Sequence, residues 1–364
     1  MFALPQRRHK PRRAQGTNRM AGDGAMRAMM GLTLAILVAG TLALAQPILA
    51  PVAFALFTIA LVLPAQERAA RVMPRGLALL LTLLATLVVL VALTLAAGWA
   101  FSRAARWVIA NAGLLQALYV QKLGWLEGQG ITLGDTLTET FDARWMVGLA
   151  QGVLGQLQGI LTFLALTLIY VLMGLLEARP VAAQLRRMGE TRPAARQVLA
   201  GLAVTAAKLR RYMLVRTLMS LLTGAGVCAF ATVMGLDLAV EWGVVAFVLN
   251  YIPVIGPLVA TIFPTVFAGV QFGAWQTALV VFVALQVIQN TVGSYIEPRV
   301  TGARLAMSPF MVLAAVFLGA FLWGIPGAFI GVPALIAGLA LCQQFEGGRW
   351  VAELLSGQAP DTRG

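Results

Sequence analysis

Long apolar runs broken by short charged segments organise this chain. Ala28–Gln46 and Pro47–Leu63 carry no Lys, Arg, Asp or Glu. Together they hold 36 residues, about 54 Å of helix, which is tight for two crossings of a ~30 Å hydrocarbon core. Gly76–Phe101, Met146–Leu176, Tyr212–Gly235, Trp242–Val270, Ala274–Val292, Met307–Leu322 and Ala328–Leu341 follow. The pattern predicts an all-α, polytopic membrane protein with about 7–9 membrane segments. Two runs carry internal breaks: Asn250-Tyr251-Ile252-Pro253-Val254-Ile255-Gly256-Pro257 and Leu322-Trp323-Gly324-Ile325-Pro326-Gly327. Proline removes a backbone donor and glycine eases a turn, so these segments are expected to be re-entrant or broken helices. Such backbone survives at membrane depth only against protein or a water-filled cavity.

Charge orients the spans. The first 27 residues hold seven Lys or Arg against Asp23, and Arg68, Arg71 and Arg75 face Glu67 in 64–75. Residues 177–216 hold nine basic groups against Glu177 and Glu190, whereas 236–241 hold only Asp237 and Glu241. Basic loops stay cytoplasmic, so the N-terminus, 64–75 and 177–216 are predicted inside, and 102–145 and 236–241 outside. Arg299 and Arg304 fall inside only if 242–270 turns back rather than crosses. The division expected is a basic cytoplasmic tail (1–27), a membrane domain (28–343) and a cytoplasmic C-terminal tail (344–364). The apolar pattern runs on from Ala28 to Leu63, longer than a cleaved leader, and reads as a signal anchor.

A helix followed by a broken apolar segment occurs twice, at 212–270 and 274–341. The two units read as an inverted repeat of the secondary-transporter kind or as unrelated helices with similar Pro-Gly turns.

Composition narrows the function. Of 364 residues, 60% are hydrophobic and 11% charged, with mean hydropathy +0.84, too few charges to cover a soluble surface. The net charge of +13 is explained by topology, and nucleic-acid binding is not expected. The single histidine, His9, lies in the basic tail, and Cys228 and Cys342 sit in separate apolar runs. A His-based triad, a zinc site and a disulfide framework are therefore disfavoured. No phosphate loop, nucleophile elbow or metalloprotease motif is present, so no catalytic residue, metal or cofactor is expected.

Other features have structural readings. Residues 102–145, with Trp107, Val108, Ile109, Leu114 and Phe141, are predicted to form outer interfacial helices. Thr191-Arg192-Pro193 is expected to start a basic inner-surface helix over 192–211 that holds its loop inside or meets anionic lipid. Gly148-xxx-Gly152 and Gly155-xxx-Gly159 suit close helix packing. Glu297, near Gln286, Gln289 and Asn290, is either a polar-site group or an interfacial acid paired with Arg299 or Arg304.

Three ordered blocks carry a family resemblance. Asn250-Tyr251-Ile252-Pro253-xx-Gly256-Pro257 resembles the Asn-x-Ile-Pro-x-x-Gly-Pro signature of the AI-2E family of bacterial transporters. Pro298-xxx-Gly302-xx-Leu305-xxx-Pro309 and Trp323-Gly324-xx-Gly327-xxx-Gly331-Val332-Pro333 are similar to its later blocks. Gln289–Ser294 departs from it by lacking the acidic residue many relatives carry after the glutamine. The resemblance implies a multi-pass, homo-oligomeric permease of the bacterial inner membrane. Some relatives are associated with autoinducer-2 export and others with sodium/proton antiport.

Two function classes remain in view. The first is a secondary transporter exporting or exchanging a small polar solute, with proton or sodium coupling open. Its pathway residues would be Asn250, Tyr251, Pro253, Gly256, Pro257, Gln289, Asn290, Glu297, Pro298, Trp323, Gly324 and Gly327, and its partners membrane lipids and the solute. The second is a non-transporting membrane scaffold that docks through 102–145 and 177–211. An intramembrane enzyme lacks an acid/base set.

Overall fold

The computed structural model describes residues 16–111, 143–301 and 308–348, with Gly113, Gln116, Ala117, Gln121, Trp350 and Leu355 besides. Its helices are α1 (Gly16–Leu44), α2 (Gln46–Val72), α3 (Arg75–Ala110), α4 (Ala143–Thr191), α5 (Pro193–Val233), α6 (Ala239–Leu249), α7 (Ile255–Gln271) and α8 (Trp275–Asn290). A π-helical turn (Thr291–Ile296), α9 (Glu297–Thr301), α10 (Pro309–Cys342) and a 3-10 turn (Glu346–Gly348) follow. The chain divides into a unit ending at Leu49 and a unit beginning at Ala50. The first is essentially α1, whose Thr33 and Thr41 hydroxyls donate back to the Met29 and Leu37 carbonyls and so hide polar atoms in an apolar helix. The rest concerns the second unit.

Among the described residues, six helical stretches are long and apolar enough to cross a membrane. The outward faces are apolar: Leu80, Leu84 and Val88 of α3 are all more than half exposed, as lipid-facing side chains are.

The helices run further than the apolar runs. α2 continues through Arg68 and Arg71, leaving only Met73 and Pro74 as a break, and α3 carries on through Trp107 and Ile109. The start of the stretch expected to form separate interfacial helices is thus the end of α3, and most of 113–142 lies outside the described residues. The basic segment 192–211 and the span after it are one 41-residue helix, α5. Its cap is Arg192, in extended conformation, with Pro193 at the first turn. Thr191 instead donates to the Met188 carbonyl.

Both broken segments fold back on themselves. After α6 the chain reverses, and Trp242 near its start meets Phe267 near the end of α7, ring centroids 5.2 Å apart. Gln271 then returns to the entry point, accepting from the Asp237 amide and donating to the Gly235 carbonyl, both at 2.9 Å. The arms of this first hairpin hold 11 and 17 residues, about 16 and 25 Å, each short of a full crossing. Helix α10 is interrupted at Trp323 (φ −135°, ψ 18°) and Gly324 (φ 62°, ψ −141°). Side chains begun at Gly319, Gly327 and Gly331 would overlap the backbone carbonyls of Gly327, Gly319 and Ala315 respectively. In one continuous helix residues 315 and 331 would stand about 24 Å apart; here their backbones touch, so α10 is a second hairpin closed along its glycines.

Contacts along α5 give the arrangement. The first hairpin has its base beside the end of α5, at Gly235. Gly224, Cys228 and Gly243 bring α5 and α6 together: a side chain begun at Gly243 would lie 2.7 Å from Cys228 Cβ and 2.8 Å from the Gly224 carbonyl oxygen. Small residues of this kind allow close approach where no water drives association. The second hairpin ends near the start of α5, where Gln343 accepts from Lys208 at 2.9 Å and Leu341 and Gln344 crowd Gly201. The hairpins therefore enter from opposite ends of α5. Helix α8 runs antiparallel to α5: Ile288 faces Gly226, whereas Val292 and Ile296 pack with Val215 and Met219. The two helix–hairpin units thus run in opposite senses, as the inverted-repeat reading requires.

Candidate functional site at the hairpin tips

The tips meet midway along α5. Tyr251 of the first hairpin stacks on Phe329 of the second, centroids 5.4 Å apart and planes 19° from parallel. Ile252 joins the cluster of Val316, Ala328, Ile330 and Val332. One turn of α5 holds the first tip by polar contacts: Asn250 donates to Ser220 Oγ at 3.2 Å and Tyr251 to Thr217 Oγ1 at 3.0 Å.

The first tip is strained. Ile255 N donates to the Pro253 carbonyl at 2.8 Å across Val254, whose φ is 67° and ψ −57°. This is the positive-φ γ-turn, rare for any residue and rarer for a β-branched one. Gly256 was expected to relax the turn; instead it lies within α7 and is needed for room, since a side chain there would overlap the Leu249 carbonyl. In the second tip glycine does supply the turn, at Gly324.

Beside Thr217, Arg216 forms an ion pair with Glu297, the first residue of α9. Arg216 Nη1 lies 3.3 Å from Oε1 and 3.2 Å from Oε2. The Arg216 side chain is 9% exposed and that of Glu297 30%. Glu297 thus finds its partner on α5 rather than at Arg299, which donates to the Tyr295 carbonyl and lies over that ring at 3.5 Å; Arg304 lies outside the described residues. The reason is register: the π-helical turn adds a residue to the helical step and carries Glu297 onto the α5 side.

Of the other expected residues, Gln289 is buried, while Asn290 faces outward with Thr291, Ser294 and Tyr295 around a shallow hollow of about 420 Å³. Pro253 is buried, and Pro257 opens α7, its carbonyl accepting from Thr261. Trp323 packs beside Phe329 in the second hairpin's core, and Pro298 is exposed. Asn250, Tyr251 and Glu297 are brought onto one short stretch of α5, at Ser220, Thr217 and Arg216; Asn290 is not. The α5 residues Arg216, Thr217, Ser220 and Thr223 were missed. Arg216 had been counted with the cytoplasmic loop, although a charge already inside an apolar run was the available signal. Gly148, Gly152 and Gly159 have no described neighbour within 4 Å, so the close packing expected there is not made within these residues.

A second ion pair fixes the base of the first hairpin: Arg103 of α3 lies 2.9 Å from Glu241, whose side chain is 7% exposed. Trp107 packs on Phe267 nearby, centroids 4.1 Å apart.

Long apolar helices and two opposed, broken hairpins define a polytopic α-helical membrane protein. The chain matches the AI-2E family transporter profile over residues 32–347 and belongs to that family. It is 29% identical over 222 residues to the AI-2 transport protein TqsA of Escherichia coli K12, covering 61% of this chain and 63% of that one. To the putative transport protein YhhT of the same organism it is 28% identical over 229 residues, 63% and 64% of the two chains. A putative transport protein of Borreliella burgdorferi is 36% identical over 127 residues, 35% of each. The chain thus matches less than two thirds of the length of each of these relatives.

Proposed function

We propose that the protein is a secondary transporter that exports or exchanges a small polar solute along α5, between the two hairpin tips. The observation that carries this is the meeting of both tips over one polar turn of α5. The first broken segment brings Asn250 and Tyr251 against Ser220 and Thr217 of α5, polar groups that could replace the water a solute must shed. Opposed hairpins offer one gate for each side: Tyr251 and Phe329 close them against each other, and parting either tip opens one face. The basic residues between Arg179 and Arg211, at the junction of α4 and α5, support a cytoplasmic position for that end by the positive-inside rule, and the basic N-terminal tail supports the same for the N-terminus in an inner membrane. The unpartnered outer faces and the glycines of α4 suit a homo-oligomer. TqsA's name supports autoinducer-2 as one member of the solute panel.

Flux in proteoliposomes, with and without proton or sodium gradients, tests the reading. Gradient-dependent movement of one solute, abolished in a folded Tyr251→Ala variant, is expected. Absence of movement across the panel by folded, inserted protein would refute it in favour of a scaffold.

A further inference from the structure

Among the described residues, five buried side-chain atoms lack a hydrogen-bond partner, and three of them belong to α5 or α8: Arg216 Nε, Thr223 Oγ1 and Gln289 Nε2. Arg216, Ser220 and Thr223 stand at i, i+4 and i+7, one face of α5. Gln289 follows Ile288, which faces Gly226, and precedes Val292, which packs on Met219; its level is that of Thr223. A buried orphan donor is destabilising and calls for an explanation. All three orphans can donate. They are distinct from the bonds that hold the tip, where Ser220 and Asn250 satisfy each other.

The ion pair beside them is incomplete. Both Glu297 oxygens reach the same nitrogen, Nη1, rather than two nitrogens in the parallel fork that suits a carboxylate best. Arg216 Nε has no partner, while the Tyr212 hydroxyl lies beside the same guanidinium. Glu297 is the more exposed partner, 30% against 9%, so it can turn toward water more cheaply than Arg216 can.

We propose that this seam binds the carboxylate of a small organic anion, with Glu297 as its internal competitor. The solute takes the Nε edge of Arg216 in the fork geometry. Thr223 and Gln289 donate to its remaining oxygens, and Glu297 swings out to be hydrated. One negative charge faces Arg216 in either state, so no net charge is buried by the exchange. The assignment rests on the transporter reading only in sharing its site, and binding can be measured without flux.

The test uses the purified full chain and matched probes: lactate against lactamide, and succinate against succinamide. Affinity is read from ligand-induced thermal shifts. The carboxylates are expected to bind at least about tenfold more tightly than the amides, a charge-assisted against a neutral hydrogen bond. Glu297→Gln should tighten carboxylate binding, and Arg216→Lys should weaken it about tenfold or more. Thr223→Val and Gln289→Leu should raise the melting temperature of the empty protein, by removing orphans, while reducing the carboxylate-induced shift. Equal binding of amides, weaker binding in Glu297→Gln, or no binding by any probe would overturn the proposal. So would a Thr223→Val variant that is less stable when empty and binds unchanged. Carboxylate binding without flux would uphold this site and refute transport; flux of neutral solutes without carboxylate binding would do the reverse.

Discussion

Gly327→Ala separates a folded-back α10 from a continuous crossing. A methyl at Gly327 would lie 2.6 Å from the Gly319 carbonyl carbon and 3.0 Å from Trp323 Cβ, and would overlap the Gly319 oxygen. Ordinary contact begins near 3.4 Å, so the arms must part by more than about 0.8 Å, and the methyl meets backbone, which cannot rotate away. Overpacking of this kind costs about 1–3 kcal/mol, against which alanine's better helix propensity returns up to about 1 kcal/mol. The expected net loss is about 1–2 kcal/mol. Gly338, also in α10, is exposed and has nothing within 4 Å, so Gly338→Ala keeps only the propensity gain, roughly 0.5–1 kcal/mol. Equilibrium unfolding in mixed detergent micelles should then place the two variants about 2 kcal/mol apart or more, with wild type between them. In an unbroken helix neither methyl meets an opposing arm, and both variants would behave alike. Equal stabilities would therefore refute the hairpin.

Other expectations follow from the same contacts. Ser308→Cys and Gln343→Cys, made without Cys228 and Cys342, should react with an impermeant maleimide from the same side of the membrane; labelling from opposite sides would contradict the fold of α10. Val254→Gly relieves a positive φ that costs about 1–3 kcal/mol, so thermal unfolding should show unchanged or higher stability despite glycine's entropy; a loss beyond about 1 kcal/mol would mean the turn is unstrained. Arg103→Ala strands a buried carboxylate and should destabilise by about 1–2 kcal/mol, discounted because Arg103 is itself 51% exposed. Adding Glu241→Gln should recover most of that, and additive losses would show the pair is uncoupled. Tyr251→Phe keeps the stack on Phe329 but removes the bond to Thr217, and should lower stability by about 1 kcal/mol while changing flux; unchanged flux would detach that bond from gating.

Much of this fold was legible because hydrocarbon imposes a coarse rule: apolar runs span, and their breaks must be sheltered. The Pro253–Pro257 and Trp323–Gly327 breaks announced both hairpins, and the charge mismatch at Arg299 indicated that the first turns back. Helix ends were not legible, because charged turns at 64–72 and 193–211 extend spans without changing their backbone hydrogen bonding. The site was half legible. Asn250, Tyr251 and Glu297 stand out beside proline and glycine, but their partners on α5 look like an ordinary span. Thr217, Ser220 and Thr223 are small polar residues that a helix tolerates anywhere by bonding to its own backbone. Only the register of α5 against the hairpins shows that one face collects them.

That register also indicates which parts of the hairpins can move. Their arms are locked by glycine contacts, Gly224 on Gly243 and Gly319 on Gly327, where a shift of less than an ångström brings backbones into collision or opens a void. Their tips are held differently. Two neutral hydrogen bonds and one ring stack fasten the first tip, each worth about 1 kcal/mol net. The strain at Val254 offsets a similar amount in the opposite direction. Burial of Ile252 against the second hairpin adds about 1.5–3 kcal/mol to the hold on the tip, so the tip is fastened by a few kcal/mol, whereas the arms are locked by backbone contact. A solute arriving at Arg216 need contribute only a few kcal/mol of differential binding to favour a displaced tip. The ion pair one residue from Thr217 lies where that contribution would be made, because any anion that draws Glu297 off Arg216 acts on the same turn of α5 that carries the tip's two hydrogen bonds.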